Sequence, residues 1–237
     1  NLYTCNEDIK KITEDVKHSW YDDSQTHKYP LDEETIPKKD KKDGYSWLKS
    51  PRYEGNVYEV GPLARILINY ISGDKTTKKL VDSVLSEFNA GPDVLFSVLG
   101  RHAARAIEAK LVADNMAEWV LQLNPEEPVF TEYQMPDEAE GMGLTEGPRG
   151  ALGHWIKIKN KKIENYQCVV PTTWNASPKD DKEQPGPIEQ AIIGTKIKDE
   201  KNPFEIVRIV RSFDPCLACA VHLVDLRGKI IGKFRTL

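Results

Sequence analysis

Cysteine is scarce in this chain, with four among 237 residues, at Cys5, Cys168, Cys216 and Cys219. That is too few, too unevenly placed, for a disulfide framework. No apolar run approaches the roughly 20 residues that cross a bilayer, and no export signal opens the sequence. Charge of one sign is lacking as well: 33 Lys and Arg stand against 37 Asp and Glu, for a net charge of -4. Nucleic acid is therefore not an expected partner. There is no internal repeat and no low-complexity tract. What remains is 39% hydrophobic residues, enough for a sizeable core in one large or two small domains.

Coarse patterning gives an irregular front, a helical middle and a mixed end. Lys38-Lys39-Asp40-Lys41-Lys42-Asp43 reads as a solvated surface segment. From Gly61 the period becomes helical: Pro62 suits a first helical position, and Leu63, Ile66, Leu67, Tyr70 and Ile71 follow until Gly73. Leu80, Val81, Val84, Leu85 and Phe88 mark a second helix. A third is predicted from Asp93 to about Leu123, a strut of roughly 45 Å at 1.5 Å per residue, with His102 and Trp119 at core or interface positions. Beyond a Pro- and Glu-rich loop, Trp155 to Lys159 alternates like a strand, Asn160-Lys161 can turn, and Ile163 to Val170 returns. Residues 188–193 suit a short helix. Pro203 opens a last helix whose Phe204, Val207 and Val210 are expected inside. The fold class expected is α+β, predominantly helical, a long-helix bundle with a small β-hairpin region.

The densest chemistry lies in Asp214-Pro215-Cys216-Leu217-Ala218-Cys219-Ala220-Val221-His222. Cysteines at i and i+3 can bring both sulfurs to one side of a turn, and a histidine three further on can reach the same place. Thiolates suit nickel, zinc, copper(I) and iron-sulfur iron, so the ligand type leaves the metal open. A closed zinc site wants a fourth ligand, and no second spaced pair exists. A thioredoxin-like redox pair lacks its βαβ context, and haem attachment needs the histidine directly after the second cysteine.

The run from Arg211 to His222 resembles the C-terminal signature of the large subunit of nickel-iron hydrogenases. Three upstream segments resemble that family in the same order. These are Tyr45-Ser46-Trp47-Leu48-Lys49-Ser50-Pro51-Arg52-Tyr53 with Glu59-Val60-Gly61-Pro62-Leu63-Ala64-Arg65; Gly147-Pro148-Arg149-Gly150-Ala151-Leu152-Gly153-His154, like the loop over the active site; and Cys168-Val169-Val170-Pro171-Thr172-Thr173-Trp174-Asn175. The family's further cysteine pair, in an Arg-x-Cys-Gly-x-Cys motif, has no counterpart here. The chain is accordingly expected to be a C-terminal part of one large-subunit domain.

The resemblance implies heterolytic cleavage of dihydrogen at a nickel-iron centre whose iron carries carbon monoxide and cyanide. Such chemistry needs a metal to receive the hydride and a base for the proton. Cys216 is implied as terminal nickel ligand and base, and Cys219 as the nickel-iron bridge. Arg149 and Thr172 are implied as donors to the cyanides, Pro148, Val170 and Pro171 as an apolar wall, and Asp214 as the partner of Arg149. A magnesium ion is implied at His222 and the main-chain carbonyl of Cys168. Implied partners are an iron-sulfur small subunit, a membrane cytochrome b reached through it, nickel-insertion factors and a maturation endopeptidase. The implied location is the periplasmic face of the membrane, by export with the small subunit. Residues 223–237 have the place and size of the extension that the endopeptidase removes. The quinone-reductase relative of this fold lacks the cysteine pair, and hydrogen sensors typically lack the tail. A non-catalytic zinc-binding or interaction module using Cys216, Cys219 and His222 is the alternative from a different class.

Overall fold

The structure, a computed structural model, describes residues 10–216, 220–224 and 230–235. Helix makes up 38% and strand 20%, so the fold is a mixture of helices with small sheets. The expectation of a predominantly helical molecule is therefore too strong. Two compact units divide the chain. One gathers residues 1–61, 140–157 and 163–237, and the other residues 62–139 and 158–162.

The second unit holds the three longest helices. α1 spans Pro62–Ser72, with Leu63 and Ile66 buried three positions apart on one face. α2 spans Lys75–Glu87; Asp74 caps it by accepting from the Thr77 backbone N–H at 2.7 Å, and that bond holds its carboxyl below the usual range. α3 spans Val98–Leu121. The helix expected to begin at Asp93 is broken. Residues Pro92–Leu95 form a separate 3-10 turn, and Ser97 restarts the chain by accepting from the Gly100 N–H at 3.0 Å. Serine is a strong N-cap because its hydroxyl satisfies one of the orphan donors of a first turn. The strut is thereby shortened to roughly 36 Å. Leu63, Ile66, Val81, Leu85, Leu95, Ala104 and Ile107 form the core of this unit, and each large aliphatic side chain buried there stabilises by about 2 kcal/mol. Arg65 grips Glu108 through Nε at 2.6 Å and a terminal nitrogen at 2.8 Å, fixing α1 against α3. His102 and Trp119 are exposed rather than in this core.

The first unit is built on short strands. β1 (Ile12–Asp15) pairs antiparallel with β2 (Ser50–Tyr53). β3 (Glu138–Gly147), β4 (Gly150–Lys159) and β5 (Lys162–Val169) form a sheet in that order. Asn160 and Lys161 both take left-handed φ, 52° and 59°, as a two-residue hairpin turn with right-twisted strands demands. β3 occupies a segment expected to be loop. Its glycines and glutamates show no clear alternation, and pairing with β4 makes it a strand. The core gathers Ile12, Val60, Ala151, Trp155, Val169 and Trp174. Trp155 is almost wholly buried, and its Nε1–H donates to the Tyr29 hydroxyl at 2.8 Å. A buried indole rarely leaves that donor unpaired.

α4 (Pro171–Asn175), α5 (Pro187–Ile192) and α6 (Phe204–Ser212) complete this unit. On α6, Ile206, Val207, Ile209 and Val210 are buried. Phe204 is not, contrary to expectation. It is 45% exposed, and the Arg208 guanidinium lies 4.6 Å from its ring centroid. β6 (Ala220–Val224) pairs antiparallel with β7 (Ile230–Arg235).

Candidate metal centre

Four segments far apart in sequence close on one another. The side-chain amide of Asn175 bonds both backbone groups of Val60, accepting from its N–H at 2.9 Å and donating to its carbonyl at 2.8 Å. Asn175 thus imitates a neighbouring strand and pins α4 to the residue before Gly61. Gly61, at φ 125°, lies so close to the next segment that a Cβ there would stand 2.8 Å from the Arg149 carbonyl oxygen. Gly150, at φ 135°, makes the reciprocal approach, where a Cβ would meet the Gly61 nitrogen at 2.8 Å. Only glycine permits two backbones to meet this way at positive φ.

Arg149 sits in the turn between β3 and β4 and reaches the end of the third segment. Its Nε donates to the Asp214 carbonyl at 2.9 Å and lies 3.3 Å from the Asp214 carboxylate. Asp214 itself adopts φ 51°, a conformation that costs a non-glycine residue about 1 kcal/mol. The two contacts from Arg149 hold it there. Two residues on, the Cys216 N–H donates to Thr172 Oγ1 at 3.3 Å. Since Thr172 accepts with a lone pair, its hydroxyl proton is left to donate elsewhere. Around this closure Pro148 is exposed, while Val170 and Pro171 are half-buried. Cys216 is an exposed free thiol. Cys219 lies outside the described residues, and His222 lies in β6 with its side chain undescribed.

Cys168 ends up apart from Cys216 in its bonding. Its thiol contacts His154 Nδ1 at 3.1 Å, and the same nitrogen meets the Tyr166 hydroxyl at 2.6 Å. Burial and the neighbouring Cys168 push the Tyr166 phenol up. Arg52, from the second quoted segment, is structural. It forms a buried ion pair with Asp180 at 2.7 Å and also donates to the Gln184 carbonyl at 3.1 Å. Burial alone would raise the Asp180 carboxyl, but Arg52 and backbone donors bring it below its usual value. Ser50 Oγ donates to the Pro178 carbonyl at 2.8 Å, so the turn after α4 is tied to β2.

Sequence reasoning placed Arg149, Asp214, Cys216 and Thr172 together, and their contacts are those described. It missed Asn175 and the Gly61–Gly150 approach, although both lie inside the quoted segments. The signal was there: an asparagine ending a helix, and glycines flanking both Pro62 and Arg149.

The fold is of the kind found in hydrogenase large subunits. The nickel-dependent hydrogenase family matches residues 2–222, and the chain belongs to that family. It is 45% identical to the periplasmic [NiFeSe] hydrogenase large subunit of Desulfomicrobium baculatum, over 92% of this chain and 43% of that protein. It is 37% identical to the quinone-reactive Ni/Fe-hydrogenase large chain of Wolinella succinogenes, over 99% of this chain and 45% of that one. The reduced Ni-Fe-Se hydrogenase from D. vulgaris Hildenborough superposes with a TM-score of 0.80 at 38% identity, covering 90% of this chain and 45% of the other. The chain thus spans less than half the length of the curated relatives it matches.

Proposed function

We propose that this chain is the C-terminal part of a hydrogenase large subunit that cleaves dihydrogen reversibly and passes electrons to an iron-sulfur small subunit. The observation that carries the reading is the closed circuit of contacts joining Val60–Asn175, Gly61–Arg149, Arg149–Asp214 and Thr172–Cys216. The donor set fits a nickel-iron pair in part. Cys216 offers a soft sulfur on a residue whose backbone N–H bonds the Thr172 hydroxyl, Cys219 would supply the second sulfur, and two further thiolates would come from the missing motif.

When bound, such a pair supplies the Lewis acidity and redox capacity that make dihydrogen acidic enough to split. Held on such a pair, Cys216 Sγ would have spare lone pairs with which to take the proton. Arg149 keeps its charge, because guanidinium pKa values exceed about 12. Its work is electrostatic, with Asp214 as its counter-charge. If the iron carries cyanide, its buried nitrogens would need donors, and Arg149 and the Thr172 hydroxyl would serve as those donors. Pro148, Val170 and Pro171 would supply an apolar wall for a carbon monoxide ligand. A magnesium ion held by His222 and the Cys168 carbonyl belongs to this proposal, as does a cleavable tail at residues 223–237. The family match ending at residue 222 supports the tail. The words "periplasmic" and "quinone-reactive" in the relatives' names support a periplasmic, membrane-associated enzyme whose small subunit meets a cytochrome b.

The test compares hydrogen oxidation by purified residues 1–237 with that of the large subunit carrying the missing motif and assembled with its small subunit. Activity is expected only in the assembly. Turnover by the isolated chain, or none by a nickel-loaded assembly, would overturn the reading.

A further inference from the structure

Three side chains of metal-ligand type that the proposed centre does not use meet within the first unit. Asp15 ends β1, His27 lies in the turn region that follows, and Asp181 comes from the turn after α4, 154 residues beyond His27. His27 Nε2 lies 3.0 Å from Asp181 Oδ2 and 3.5 Å from Asp15 Oδ2. One ligand atom from each of the three residues falls within 4.8 Å of the other two. Local bonding explains the placement. The His27 N–H donates to the Glu14 carbonyl at 2.8 Å, which sets the imidazole beside the end of β1. Asp15 is held at both oxygens: the Lys17 N–H donates to Oδ1 at 2.9 Å, and the Thr26 hydroxyl to Oδ2 at 2.9 Å. Asp181 follows Asp180, whose buried pair with Arg52 anchors the turn.

Hydrogen bonding alone serves this arrangement poorly. The Asp15 side chain is 1% exposed. Among the described residues neither Asp15 nor Asp181 pairs with a lysine or arginine, and the imidazole is their shared ionic partner. One ring nitrogen has either a single proton or a single lone pair, so Nε2 can serve one carboxylate at a time. A buried carboxylate without a lasting counter-charge is costly. A divalent cation answers both needs. Metal bonds of about 2.0–2.2 Å set neighbouring ligand atoms roughly 3.0–3.5 Å apart in octahedral or tetrahedral coordination, and these are the separations that His27 keeps from the two carboxylates.

We propose that Asp15, His27 and Asp181 bind a divalent first-row transition cation, with zinc as the best fit. Two carboxylates and one imidazole suit zinc, whereas magnesium takes oxygen ligands and keeps its waters. Three protein ligands leave a position for water, and the side chains of His27 and Asp181, 49% and 43% exposed, open the site to solvent. The bonds from Lys17 and Thr26 are the outer contacts that orient a ligating carboxylate. The ion cross-links the turn after α4 to β1 and to the residues that follow it, so its role is structural. The site uses no residue of the Cys216 motif and does not depend on nickel chemistry.

Zinc titration of the complete protein, with crystals examined by anomalous scattering at the zinc edge, tests this. Wild type should take up zinc between Asp15, His27 and Asp181, with a melting temperature that rises on binding. His27→Ala and Asp181→Ala replace half-exposed side chains and should leave the fold intact. Each should weaken that uptake at least about tenfold, a loss typical even of an outer contact, and remove most of the zinc-dependent thermal shift. No anomalous signal between the three side chains, uptake only at millimolar zinc, or equal affinity in wild type and both variants overturns the proposal. Zinc found at Cys216 and Cys219 in place of this site also overturns it, and counts against the hydrogenase reading as well.

Discussion

Arg149→Lys separates a structural arginine from a functional one, because the two roles differ in size. In the structure Arg149 donates from Nε to the Asp214 carbonyl at 2.9 Å and from a terminal nitrogen to Asp214 Oδ1 at 3.5 Å, with an ion-pair distance of 3.3 Å. Both partners are more than a third exposed, at 38% and 39%, so solvent screens the pair and it contributes about 0–1 kcal/mol. Lysine keeps the charge but loses the planar fork, and with it the carbonyl bond, for a total loss of about 1 kcal/mol. A domain stable by about 5–15 kcal/mol tolerates that, so fold and metals should be retained. If Arg149 also orients the reacting groups, the loss of a preorganised donor costs about 3–4 kcal/mol in the transition state, a rate lower by roughly 100-fold or more. The assay is hydrogen oxidation by the assembled variant, normalised to nickel content, beside a thermal unfolding curve. Turnover within about threefold of wild type would refute the reasoning and leave Arg149 as an anchor for the Asp214 backbone.

Cys219→Ser in the complete protein should prevent assembly of the bimetallic centre, because a hard hydroxyl does not bridge as a soft thiolate does; near-normal nickel and iron in that variant would count against Cys219 as the bridge. Residues 223–237 should be absent by mass spectrometry from enzyme made in nickel-replete cells and present in enzyme from nickel-starved cells, giving a mature end at His222. A tail retained on active, nickel-loaded enzyme would make β7 ordinary structure.

Local chemistry was the legible part of this sequence. α1 begins at Pro62 after Gly61 and buries Leu63 and Ile66, and the turn at Asn160-Lys161 joins two strands; both follow from neighbouring residues alone. The break at Ser97 was harder, since Val98 to Leu121 and the segment before it share one helical rhythm, and a single hydroxyl decides where the helix restarts. β3 carried no pattern of its own, because its order comes from β4. Phe204 followed the apolar spacing of α6 yet lies outside, stacked with Arg208. The site divided in the same way. Arg149, Asp214, Thr172 and Cys216 stood out through their motifs. The burial of Glu14, Glu33 and Lys49 had no signal in the sequence, because burial of a polar side chain is set by segments distant in sequence.

Metal analysis of the complete large subunit, purified with its small subunit from nickel-replete cells, tests the central claim most directly. The account predicts nickel and iron together in each large subunit, with both lost when Cys216 and Cys219 are replaced by alanine. Zinc bound at Cys216 and Cys219, with neither nickel nor iron, would contradict it and make the C-terminal motif a structural zinc site.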